Sequence, residues 1–177
     1  CVWIHAVSYG ETVAAKAMMP LLRERFKPLP VLVTTVTETG QGLARTLVPS
    51  HADAARFYPA DFSGIVRKFV EVYKPRIYIP METEIWPNAL NTIGDAGAKI
   101  FMLNGRLAER SHKSYKRFQS LFRGPLDRVT AFCMQTEADA PRMREIYGSP
   151  ACVFETGNCK FDLDIPALSA DERVLLR

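Results

Sequence analysis

Apolar residues along the chain fall into short runs separated by longer amphipathic stretches. Strand-like runs occupy Val2–Val7, Val31–Thr35, Ala55–Tyr58, Arg76–Pro80, Lys99–Leu103, Ala131–Met134 and Cys152–Glu155, most of them rich in β-branched and aromatic residues. Between them lie segments with helical spacing: Glu11–Phe26, Gly40–Val48, Phe62–Tyr73, Ile85–Ala96, His112–Phe122 and Glu137–Tyr147. In the first of these, Val13, Ala14, Ala17, Met18, Leu21, Leu22 and Phe26 recur on one stripe, which predicts that this stripe meets the sheet. Strands alternating with helices of this length predict right-handed βαβ units and one doubly wound α/β domain over residues 1–165. Residues 166–177 read as a linker and short helix, with Ser169 as its cap.

In an open parallel sheet, ligands bind beyond the carboxyl ends of the strands. The chemistry is therefore sought in Ser8–Glu11, Thr37–Gly42, Met81–Asn88, Asn104–Ser111 and Gln135–Glu137. Glu11 opens a helix, where the dipole favours an ionised carboxylate suited to general-base work, while an ordinary helix cap accounts for the same residue. Thr34 to Gly42 offers hydroxyls and two glycines before a helix, without Walker A spacing or a lysine. Met81-Glu82-Thr83-Glu84-Ile85-Trp86-Pro87-Asn88 gathers two carboxylates, an indole and an amide at a strand end. In extended chain Glu82 and Glu84 would share a side, and clustered like charges cost energy unless something uses them.

Composition adds two constraints. The 177 residues are 47% hydrophobic and 24% charged, ordinary for a globular domain and sufficient for a core. No apolar stretch reaches membrane-spanning length, the first residues do not read as a signal peptide, and the opening on a strand-like run suggests an excised piece of a longer chain. The net charge of +4 is local: residues 104–128 hold seven basic side chains against Glu109 and Asp127. Within them Lys113, Lys116 and Arg117 form one helix face, and Tyr115, Phe118 and Phe122 another. Such a face suits phosphates or an anionic membrane surface, although charge runs also occur on plain solvated helices. Cys1, Cys133, Cys152 and Cys159 lack paired spacing, which predicts buried free thiols and no metal site. Nothing points to a nucleic-acid partner.

Five motifs in order resemble the 3-deoxy-D-manno-octulosonic acid (Kdo) transferases. They are His5-Ala6-Val7-Ser8-Tyr9-Gly10-Glu11, Thr34-Thr35-Val36-Thr37-Glu38-Thr39-Gly40, Met81 to Asn88, Asn104-Gly105-Arg106-Leu107 and Gly157-Asn158-Cys159-Lys160-Phe161-Asp162. The resemblance implies the N-terminal, acceptor-binding half of a GT-B glycosyltransferase, with a Rossmann-like parallel sheet flanked by helices. It implies transfer of Kdo from CMP-Kdo to lipid IVA, without a metal or other cofactor, at the cytoplasmic face of the bacterial inner membrane. CMP-Kdo would be held mainly by a C-terminal domain beyond this chain, so the chain alone should be inactive. Glu11 maps onto the catalytic base. Ser8 and Gly10 would shape the pocket, Glu84 and Glu82 would bind or orient the acceptor sugar, and Arg106 with Lys113, Lys116 and Arg117 would meet lipid phosphates or the membrane. The competing readings are a non-catalytic Rossmann-like domain that binds an anionic lipid or nucleotide, and a nucleotide-sugar epimerase of similar architecture. The basic amphipathic helix speaks against the epimerase, whose soluble substrate gives it no purpose.

Overall fold

The structure, a computed structural model, describes residues 1–82, 84–147 and 152–162. The linker and short helix expected over 166–177 lie outside these residues, as does the domain boundary at 165.

Seven parallel strands form one sheet in the order β3-β2-β1-β4-β5-β6-β7. They are β1 Val2–His5, β2 Val31–Thr35, β3 Ala54–Phe57, β4 Ile77–Pro80, β5 Lys99–Gly105, β6 Val129–Met134 and β7 Val153–Glu155. Each strand-like run of the sequence corresponds to one of them. β1 is buried along its whole length, and Val2 pairs with both Val31 and Ile77. A central strand covered on both faces needs continuous apolar sequence, which is what Val2-Trp3-Ile4 supplies. Alternate side chains feed two separate cores. Trp3 and Tyr78 join Leu90, Ile93 and Phe132 on one face, while Val2, Ile4 and Ile79 join Ala15, Met19 and Val33 on the other.

The helices are α1 Tyr9–Arg25, α2 Glu38–Thr46, α3 Ser63–Tyr73, α4 Pro87–Asp95, α5 Glu109–Arg117, α6 Gln119–Leu126 and α7 Asp139–Tyr147. A 3-10 turn over Cys159–Asp162 packs on α1. Two expectations need correction. The face of α1 that meets the sheet carries Thr12, Ala14, Ala15 and Met19, and Leu21 is 71% exposed. The expected stripe thus meets the core only in part: Ala14 is buried and Met18, Leu22 and Phe26 pack against the core while partly exposed, whereas Leu21 is turned outward. The single helix expected over His112–Phe122 is two helices broken at Phe118, so Tyr115, Phe118 and Phe122 do not share one face. Tyr115 and Phe122 still touch edge to face, at 4.8 Å and 84°, while Phe118 is exposed.

Strand order runs outward in one direction from β1 and in the other from β4. Loops leaving these neighbours diverge to opposite faces and open a crevice beyond their carboxyl ends. Ser8–Glu11 leaves β1 and Met81–Asn88 leaves β4, so the motifs that carry Glu11, Glu82 and Glu84 flank this crevice.

Candidate functional site

Ser8 caps α1 in extended conformation, and its Oγ accepts from the Glu11 backbone N–H at 3.4 Å. The Glu11 carboxylate folds back on the same turn. It accepts from the Val7 N–H at 2.7 Å and from the Ser8 hydroxyl at 2.9 Å. This is a capping box displaced by one residue, since the returning carboxylate meets the residue before the cap. Glu11 therefore does cap its helix, and it also stands in the crevice at 8% exposure. The helix dipole is not the only influence on its proton affinity. Burial pushes its carboxyl above the ordinary glutamate value, the Val7 and Ser8 bonds oppose this, Glu82 adds to it and Lys160 subtracts.

The acidic pair after β4 is also arranged differently from expectation. Glu82 is in the left-handed region, φ 55°, with its N–H bound to the Leu103 carbonyl at 2.9 Å. That backbone ends the extended chain, so Glu82 and Glu84 take different partners. Glu82 Oε1 meets Lys160 Nζ at 3.2 Å, and Glu84 Oε2 accepts from the Trp86 indole N–H at 2.7 Å. Burial, then the Glu11 charge, push Glu84 up to about 7; the Trp86 bond opposes them and Glu82 reinforces them.

Lys160 was quoted within a motif but given no role by sequence reasoning. Only its spatial neighbours reveal one. Asn104, at φ 56°, accepts the Cys159 N–H on its Oδ1 at 3.1 Å, and Gln135 Nε2 donates to its carbonyl at 2.9 Å. Asn158 donates to Gln135 Oε1 at 3.1 Å and accepts the Lys160 N–H at 3.0 Å, an Asx-type turn. The Asn104 and Gly157–Asp162 motifs thus form one scaffold that delivers the Lys160 ammonium to the carboxylates. A side chain at Gly10 would bring its Cβ within 3.9 Å of Lys160 Nζ.

One more positioning group, Asp61, carries no sequence signature. α4 has no cap of its own, and Asp61 supplies one from the loop after β3: its Oδ1 accepts the Ala89 N–H at 2.8 Å and its Oδ2 the Asn88 N–H at 3.3 Å. The Thr34–Gly40 motif serves α1. Thr37 caps α2, and Gly40 lies so close to the Ser8 backbone that an added Cβ would be 3.1 Å from the Ser8 carbonyl carbon. Gly40 thereby brings the first turn of α2 against the cap that carries Glu11.

The basic segment is set apart from these carboxylates by its own partners. Lys113 pairs with Glu109 at 2.8 Å, and Lys116 with Glu145 at 2.8 Å, so this charge is not unpaired. The Arg117 guanidinium stands 5.8 Å from the Phe118 ring centre. Arg106 is exposed just after β5. The four cysteines are free and partly exposed, a correction to the expectation of buried thiols. Among the described residues no cluster of three or more His, Cys, Asp or Glu is placed to hold a metal ion, and no helix is long and apolar enough to cross a membrane.

The Glu11–Glu82–Glu84–Lys160 cluster gathers carboxylates that could accept hydroxyl protons and an ammonium that balances part of their charge. Comparisons with known proteins agree with the motif order. A bifunctional glycosyltransferase/methyltransferase of Fusobacterium nucleatum subsp. nucleatum is 26% identical over 97% of this chain and 27% of its own length. The 3-deoxy-D-manno-octulosonic acid transferase of Bordetella pertussis is 32% identical over 93% of this chain and 39% of its own. The chain thus spans roughly a third of the length of the curated relatives it matches. Among solved structures, UDP-GlcNAc 2-epimerase from Neisseria meningitidis superposes with a TM-score of 0.61 at 13% identity, over 90% of this chain and 47% of that one, which establishes the Rossmann-like fold alone. The family model for 3-deoxy-D-manno-octulosonic-acid transferase (kdotransferase) matches residues 1–163, and the chain accordingly belongs to the Kdo transferase family, as its N-terminal part.

Proposed function

We propose that this domain binds the acceptor in a transferase that moves Kdo from CMP-Kdo to lipid IVA, with Glu11 as the base. The observation that carries the reading is the placement of the Glu11 carboxylate. It stands at the crevice between β1 and β4, fixed by the Val7 N–H and the Ser8 hydroxyl and flanked by Glu82, Glu84 and Lys160.

A sugar hydroxyl is a weak nucleophile. In the proposed reaction its oxygen attacks the anomeric carbon of Kdo, the bond from that carbon to the CMP phosphate oxygen breaks, and CMP leaves with the electron pair. The hydroxyl proton passes to Glu11. Burial favours this step, since a carboxylate with a raised pKa holds the incoming proton more strongly. Ser8 keeps one Glu11 oxygen oriented, and Gly10 lies next to the Lys160 ammonium, where an added Cβ would only come into ordinary contact with it. Glu84 and Glu82 would accept hydrogen bonds from other acceptor hydroxyls. The reaction so written uses no metal or cofactor.

In this reading CMP-Kdo is held mainly by a C-terminal domain outside the chain, and the 177 residues alone do not turn over. The enzyme works at the cytoplasmic face of the inner membrane. Arg106 and Arg117, with less from the ion-paired Lys113 and Lys116, face lipid phosphates or anionic headgroups. The test is the full-length enzyme assayed with CMP-Kdo and lipid IVA. Kdo transfer that survives Glu11→Gln at the wild-type rate overturns the base assignment.

A further inference from the structure

The loop bearing Glu84 is held by a stack of rings that begins deep in the sheet. His5, fully buried in β1, is tied to Thr34 through Nδ1, at 3.1 Å from Oγ1 and 3.2 Å from the carbonyl oxygen. Tyr58 lies flat on His5, with ring centres 3.7 Å apart and planes at 22°. Its hydroxyl is 3.1 Å from that of Tyr78, which is fully buried. Trp86 packs against Tyr58 with ring centres 5.9 Å apart and planes tilted by 38°. Immediately after Trp86, Asp61 holds the backbone N–H groups of Asn88 and Ala89. The indole is thus fixed from its ring face and from its backbone, and its N–H points at Glu84 Oε2 from 2.7 Å.

A carboxylate here has reason to turn away. Glu11 from α1 and Glu82 from its own loop repel it. Tyr58 and Asp61 from the loop after β3, Tyr78 from β4 and Tyr115 from α5 are the other titratable groups around it, and none brings positive charge. Lys160 acts on Glu82 and Glu11. The indole N–H is the hydrogen-bond donor that holds Glu84 in place.

We propose that Trp86 is a positioning residue: its N–H fixes the Glu84 carboxylate beside Glu11, and Tyr58, seated on His5, is the support that fixes Trp86. This inference deepens the reading of the crevice as an acceptor-sugar site and rests on it for its purpose, though not for its test.

Carboxyl-carbon NMR titration of the 177-residue chain measures the midpoint of Glu84 directly. Trp86→Phe keeps a ring against Tyr58 and deletes the N–H. Losing one charge-assisted hydrogen bond should raise the Glu84 midpoint by about one pH unit, with a smaller change at Glu11. Tyr58→Phe, which keeps the stack, should leave it in place, and Tyr58→Leu should raise it. An unmoved Glu84 midpoint in Trp86→Phe overturns the proposal. If that variant unfolds, Tyr58→Leu carries the test by the same criterion. Loss or retention of Kdo transfer in Glu11→Gln bears on the activity reading alone, so the two can fail separately.

Discussion

Lys160 Nζ lies 3.2 Å from Glu82 Oε1, joining the last described turn of the chain to the loop after β4. Glu82 sits in a loop, and Lys160 in the short 3-10 turn that packs on α1. Glu82 is placed by a left-handed backbone, and Lys160 by a turn built from Asn104, Gln135 and Asn158. The pair closes the acidic crevice on one side and moderates the charge around Glu11.

Removing Glu11 as a base should be separable from removing it as a cap. Glu11→Gln keeps an oxygen for the Val7 N–H and deletes the proton acceptor. In the full-length enzyme the turnover rate should fall by roughly 10²–10⁴, the usual contribution of a general base. The thermal midpoint of the domain should change little, whereas Glu11→Ala should cost about 1 kcal/mol through the lost cap. Steady-state rates together with melting curves check both.

Lys160→Met should move the acid limb of the pH–rate profile to higher pH. Lys160 lowers the Glu11 carboxyl pKa, so its loss leaves burial and Glu82 less opposed, and Glu11 picks up its proton at a higher pH. The limb of kcat/KM in the wild-type enzyme should itself lie above the ordinary glutamate value of 4.5. A limb that stays in place in Lys160→Met would remove this residue from control of the base.

Stability against pH should show two opposing slopes. Glu84 is pushed from 4.5 to about 7, so the folded state binds its proton more tightly, and that contribution is lost as pH rises through about 7. His5 is held down from 6.5 to about 3 by burial, so its contribution is present above 6.5 and is lost as pH falls toward 3. The Glu84 fall runs between about pH 4.5 and 7, where the His5 rise opposes it. Glu84→Gln should remove that fall, so melting temperature should climb more steeply with pH over this interval than in the wild type, as scanning calorimetry at several pH values would record.

Gly40→Ala should destabilise the domain by ~1–3 kcal/mol, the usual cost of overpacking. The new Cβ would lie 3.0 Å from Thr37 Oγ1 and 3.1 Å from the Ser8 carbonyl carbon, with backbone on one side that cannot swing away. Gly42→Ala, two residues on, meets nothing within 4 Å and serves as the control. Urea unfolding of both variants is the measurement.

Binding to anionic vesicles should weaken as salt rises and depend most on the arginines. Lys113 and Lys116 are already met by Glu109 and Glu145, so reversing Lys113 should change affinity less than reversing Arg106 or Arg117. Co-sedimentation with vesicles of increasing anionic lipid content at two salt concentrations would check the order.

Much of this protein was legible in its sequence. Period-two and continuous apolar runs name the seven strands, because burial on a pleated sheet constrains every position of a strand such as Val2-Trp3-Ile4. The ordered motifs name the family, and the rule for open parallel sheets directs attention to Glu11, Glu82 and Glu84. What the sequence left undecided depends on partners distant along the chain. The contact face of α1 centres on Thr12, Ala14, Ala15 and Met19, offset from the stripe of larger residues that the spacing reports. The division of labour between Glu82 and Glu84 came from one left-handed residue and two separate donors, Lys160 and Trp86. The upward shift of the Glu11 carboxyl is the balance of burial, of Val7 and Ser8 of its own turn and of Glu82 and Lys160 on two other segments, and a local dipole argument includes neither the burial nor the distant pair. Sequence fixes which groups are available; only the folded chain sets their distances and their solvent, and both electrostatic energy and proton affinity depend on those two quantities.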